Sequence, residues 1–122
     1  MPDTYTKNIR PYMERELHAA MQARKCGNPA EEFRLLERAH VLGQASTYWH
    51  TKVHVLMLGW AIRNRLTSEV FGQLFRIIGA AAKTAIGLVP EGNTGGSNIS
   101  PFKRMPIPLE LEQIMQAART GE

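Results

Sequence analysis

Three short breaks, CGNP at 26–29, the Gly43 to Thr47 stretch and the residues around Thr67, cut the chain from residue 11 to 86 into four segments of helical period. Such links leave each helix little choice but to fold back on its predecessor. Pro11 sits well at a first helical position, where no N–H is needed, and CGNP ends the segment after Lys25. Asn28 is a natural N-cap for the second segment. Pro29 follows it, Glu31 and Glu32 complement the helix dipole, and the periodic run reaches Leu42 before Gly43. Ser46 or Thr47 can cap YWHTKVHVLMLGWAIRNR, and Thr67 or Ser68 can cap SEVFGQLFRIIGAAAKTAIG. The predicted helices are 11–25, 29–43, 47–65 and 67–86. With no competing strand alternation, the fold class is all-α: two antiparallel helical hairpins forming a small bundle.

After Gly87 the character changes. LVPEGNTGGSNISPFKRMPIP contains Gly92, Gly95, Gly96, Pro90, Pro101, Pro106 and Pro108, so no helix can run through it. Leu88, Val89, Ile99, Phe102, Met105 and Ile107 are spaced along it as apolar anchors, which predicts an ordered strap over 87–107. A last helix is expected from 108, with Leu111, Ile114, Met115 and Ala118 as its stripe. The 122 residues suit one domain: a polar tail at 1–10, a four-helix core at 11–86, the strap, and the helix at 108–122. NPAEEFRLLERA and LTSEVFGQLFRI each open the second helix of a pair, with Phe33 and Phe71 in matching places. That loosely resembles the tetratricopeptide plan.

Cys26 is the lone cysteine, so neither an intramolecular disulfide nor a thiolate zinc cluster can form, and a reducing, cytoplasmic setting is expected. MPDTYTKNIRPYMERE lacks the apolar region of a secretory signal, and VHVLMLGWAI is half the length of a membrane span. No membrane is therefore expected as partner. The net charge of +4 comes from scattered basic residues with acids among them, without aromatic interleaving, which argues against nucleic acid. No nucleophile elbow or other hydrolase signature occurs, so the reading leans away from an enzyme.

Three of the four histidines lie in ERAHVLGQASTYWHTKVH, residues 37–54. At about 100° per residue, His40 falls inside the apolar arc of the second helix with Phe33, Leu36 and Ala39, and Glu37 lies at its edge, while Arg34 and Arg38 point away. His50 and His54 lie on the packing side of the third helix with Met57 and Ala61. Antiparallel pairing sets His40 level with His50 and Glu37 level with His54. Glu16 shares the apolar side of the first helix and needs a histidine, an arginine or a metal as partner; His18 belongs to the polar face.

Imidazole and carboxylate donors suit zinc, iron, nickel or copper, so Glu37, His40, His50 and His54 are candidate ligands, with Glu16 beside the metal or as a fifth donor. A second E-x-x-H is missing, which disfavours a di-iron centre. The alternative is a set of neutral core histidines satisfied by Glu16, Glu37, Tyr48 or backbone carbonyls, in a cofactor-free module that engages a protein partner or a second copy of itself. GNTGG could cradle an anion, although it lacks the strand and lysine of a P-loop and serves better as a turn. Trp49, Trp60, Phe71 and Phe75 are expected in the core. Cys26, at a helix C-terminus, is expected to be unreactive.

LERAHVLGQ, GNTGGSNISPF and MPIP, in this order and at these separations, resemble a family of small bacterial proteins, the domain of unknown function DUF3703, over nearly the whole chain. The resemblance implies a helical fold and an association with heavy-metal resistance, hence with metal sensing or buffering. It supplies no mechanism and transfers no catalytic residue.

Overall fold

The structure, a computed structural model, describes residues 4–85 and 105–121, with side chains for all but 80–85. The described residues form five α-helices: α1 (Thr4–Lys25), α2 (Pro29–Gly43), α3 (Thr47–Arg63), α4 (Thr67–Ala85) and α5 (Leu109–Thr120). α1 packs along α2 and α3 along α4, so the chain forms two helical hairpins joined through an α2–α3 contact, and α5 docks on α1 and α2. The family of short links thus produces the all-helical bundle expected of it. Most of the strap, including GNTGG and Phe102, lies outside the described residues; of its anchors, Ile107 packs on the core.

The link chemistry works largely as read. Asn28 Oδ1 accepts from the Glu31 N–H at 3.1 Å, and Ser46 Oγ accepts from the Trp49 N–H at 3.3 Å. Gly27, at φ +72°, makes the left-handed turn that ends α1. Gly43 is required for a different reason: a Cβ there would stand 2.9 Å from Trp49 Cβ and 3.0 Å from Met13 Cε. The end of α2 is therefore pressed against both neighbouring helices. α3 stops at Arg63 rather than 65, because the turn into α4 puts Arg65 at φ +56°, outside helical geometry.

The proposed tail at 1–10 is corrected. Helix α1 begins at Thr4 and carries Pro11 in its interior. An interior proline costs a helix about 3 kcal/mol. Against that, Ile9 and Met13 are both fully buried, and a buried side chain of this size contributes roughly 1.5–3 kcal/mol. Further ties hold the first turns to the α2–α3 corner: Tyr5 Oη donates to the Leu42 carbonyl at 2.8 Å, the Thr6 and Ser46 hydroxyls meet at 2.7 Å, and Trp49 Nε1 donates to the Thr6 carbonyl at 3.1 Å. Packing outweighs local propensity. Pro11 lies on the exposed side, where the released carbonyl can be hydrated.

Apolar burial is concentrated where α1, α2, α5 and the first half of α3 meet, around Ile9, Met13, Leu36, Leu42, Trp49, Val53, Leu111 and Met115. Helix α4 departs from this pattern. Among its described side chains Glu69, Gln73 and Arg76 are buried, whereas Phe71, Phe75 and Ile78 are 67%, 66% and 78% exposed. Phe71 and Phe75 therefore do not join the core as expected. Nor do Phe33 and Phe71 occupy equivalent places, since Phe33 packs against Trp60. Among the described residues no helix is long and apolar enough to cross a membrane.

Candidate metal centre

At the last turn of α2 the helix is enclosed on every side: Ala39, His40, Val41, Leu42 and Gly43 are all buried. His40 projects there toward α3, whose buried residues are Trp49, His50, Val53, His54, Met57 and Ala61. The four-residue step from His50 to His54 is a little more than one helical turn, so both rings reach the same level of α2. His40 Nε2 lies 3.1 Å from His50 Nε2 and 3.1 Å from His54 Nε2. The three donor nitrogens all fall within 4.8 Å of one another. The ring of His40 meets the other two edge-on, at interplanar angles of 72° and 70°, so the rings surround a point rather than stack.

Among the described residues, two side chains of α4 adjoin the site. His54 Nδ1 stands 2.6 Å from Gln73 Oε1, and Gln73 Nε2 donates to Glu69 Oε2 at 2.5 Å. Gln73 is fully buried. Arg76 is buried on the same side of α4; desolvation lowers its pKa from the ordinary guanidinium value, and the Glu69 charge opposes that shift. Glu69, Gln73 and Arg76 follow a four-then-three spacing, a readable signal of one helix face. By polarity alone that face looks solvated, and only the histidines opposite reverse the assignment.

The remaining candidates stand elsewhere. Glu16 meets an arginine, one of the three partners open to it: Arg38 Nε and Nη2 donate to its carboxylate at 2.9 to 3.2 Å, and Arg38 also reaches Glu110. Arg38 thus folds in between α1 and α5 instead of pointing away, and its pKa is raised by those partners, the Glu16 hydrogen bonds first. Glu37 lies half-buried beside a cleft with Arg34, Arg38, Val41 and Leu111. Neither acid joins the group formed by the three histidines. Tyr48 is half exposed, with the Lys52 ammonium 5.7 Å from its ring centre, so it does not serve the histidines through burial among them. His18 is on the surface next to Gln22, and Cys26 is exposed.

Residues 7–115 match the family described as Protein of unknown function (DUF3703), and the chain belongs to it. No curated protein and no solved structure gives a significant match.

Proposed function

We propose that this DUF3703 member binds one divalent transition-metal ion through Nε2 of His40, His50 and His54, in metal sensing, buffering or resistance. The observation that carries this reading is the pair of 3.1 Å Nε2 to Nε2 separations centred on His40. Two ligands of a tetrahedral zinc ion with bonds of about 2.0–2.1 Å lie about 3.3 Å apart. Two of the three edges therefore stand close to the spacing of a ligand triangle before any ion is added, and the third lies within 4.8 Å. Protons serve the same geometry poorly. Each neutral imidazole carries one N–H, and a single Nε2–H on His40 cannot point at both neighbours at good angles. A cation at the centre satisfies all three lone pairs at once.

Imidazole donors suit zinc, nickel, copper or ferrous iron better than magnesium or calcium, which prefer oxygen. Among the described residues the set has three protein donors, which leaves a tetrahedral ion one position for water or another ligand. Such a site exchanges its ion more readily than a closed four-ligand one, in keeping with sensing or delivery.

Untagged protein purified without chelators or added metal should carry a transition metal near one equivalent by mass spectrometry of the elements. His54→Ala should remove it while circular dichroism still reports a helical protein. Metal-free wild-type protein that also fails to take up zinc, nickel, copper or ferrous iron in titration would refute the reading.

A second reading, a module that engages a protein partner or a second copy, is favoured by the exposed row Phe71, Leu74, Phe75 and Ile78 on α4. Sedimentation of wild-type protein against Phe75→Ser tests it: a concentration-dependent mass lost in the variant supports self-association.

A further inference from the structure

We infer that Gln73, oriented by Glu69, is a positioning residue that holds His54 in the one tautomer able to offer Nε2 to a cation. The inference rests on the metal reading of the histidine site. Its logic is a chain of hydrogen bonds in which each direction follows from the one before. A carboxylate oxygen only accepts, so the 2.5 Å contact with Glu69 Oε2 turns the Gln73 amide nitrogen toward Glu69. The amide oxygen then faces His54 Nδ1 at 2.6 Å, and a carbonyl oxygen also only accepts. Nδ1 must carry the imidazole proton. Nε2 is left with its lone pair, directed at His40 Nε2.

The same chain explains why α4 turns a polar face inward. Glu69 and Gln73 are one helical turn apart, so a single helix presents the carboxylate and the amide in line with His54. Arg76, three residues on and buried, lowers the cost of enclosing the Glu69 charge. Apolar residues at 69 and 73 would fill the same buried face, but His54 would lose its orienting acceptor. An acceptor on the far nitrogen of a ligating histidine fixes the ring and raises its basicity, and removing such a group typically weakens metal binding 10- to 100-fold.

The test has two readouts. Nitrogen-15 chemical shifts of the His54 ring in metal-free protein report the tautomer without any metal, and zinc affinity is measured by competition with a chromophoric chelator. Wild-type protein should show Nδ1 protonated and Nε2 bare. Gln73→Leu should abolish that preference and weaken zinc binding 10- to 100-fold. The exchanged pair Glu69→Gln with Gln73→Glu, which keeps an acceptor facing Nδ1 and an amide donor facing it from position 69, should retain the tautomer and bind zinc at least tenfold more tightly than Gln73→Leu. A wild-type His54 protonated on Nε2 would overturn the inference, as would equal zinc affinities in wild type and Gln73→Leu. Should the leucine variant fail to fold, the wild-type tautomer and the exchanged pair still decide. Nδ1 protonated in a wild-type protein that binds no zinc would leave the orienting chain in place and remove the metal reading alone.

Discussion

The two halves of the bundle solve the burial problem in opposite ways. Where α1, α2 and α5 meet, apolar side chains fill the interior and charged ones ring it, with Arg38 tying Glu16 to Glu110 at the edge. Across the α3–α4 contact the interior holds His50, His54, Glu69, Gln73 and Arg76, while phenylalanine and isoleucine face outward from α4. The first arrangement follows mainly from the hydrophobic effect, with hydrogen bonds from Tyr5, Thr6 and Trp49 fastening one corner. The second is costly unless every polar group is matched, and the proposed metal centre would give that cost a use.

The largest effect that would sharpen this contrast lies in the apolar half. Leu42→Ala, at a fully buried position, should destabilise the fold by roughly 2–5 kcal/mol in denaturant titrations. A loss below 1 kcal/mol would mean that this half is not the stabilising one.

Zinc at a hundredfold excess over its dissociation constant should add about 2.7 kcal/mol, the linkage value for one site. Amide exchange should place the added protection in α3, the first turns of α4 and the end of α2. Equal protection in α1 and α5 would break the division into two halves. Acidification should release the ion, because protons compete for the same imidazole lone pairs.

Smaller still is the expected cost of Phe75→Ser, within about 0.5 kcal/mol in dilute protein, since the ring is two-thirds exposed. A cost above 2 kcal/mol would show the outer face of α4 to be covered. The smallest effect concerns Glu31, whose hydrogen bonds with Arg34 hold its carboxyl below the ordinary carboxylate value. A folded value below the unfolded one makes the contribution present above the ordinary range and lost as pH falls through the folded value. Glu31→Gln should therefore flatten the acid limb of the stability profile slightly, as read from melting temperatures between neutral and acid pH; at this exposed pair the change is minor.

Much of the α1–α2–α5 half was legible in the sequence because its stripes are apolar and its stops are Gly27, Asn28 and Ser46, residues whose turn chemistry acts locally. That His40, His50 and His54 share one contact was legible too, since helical period and a short link determine which faces oppose. The level pairing of Glu37 with His54 was not, because His40 meets both rings of α3 and Glu37 lies beside the cleft with Arg34 and Arg38. What could not be read locally was α1 before Pro11, where Trp49, Ser46 and Leu42 hold the first turns from more than thirty residues away. Arg38 folding onto Glu16 was hidden for a similar reason: its partners lie on α1 and α5. The inward face of α4 is not legible in the sequence, because Phe71 and Phe75 have the composition of core and the histidine that meets Gln73 lies on another helix.

X-ray absorption at the zinc edge of protein loaded with one equivalent of zinc tests the central claim most directly. Three imidazole nitrogens at about 2.0–2.1 Å, with the multiple scattering of intact rings, are the expected first shell. The signal should fall to two imidazoles or vanish in His40→Ala, the residue at the centre of the cluster. A shell of oxygen donors without imidazole scattering, or one unchanged by His40→Ala, would contradict a metal centre at His40, His50 and His54.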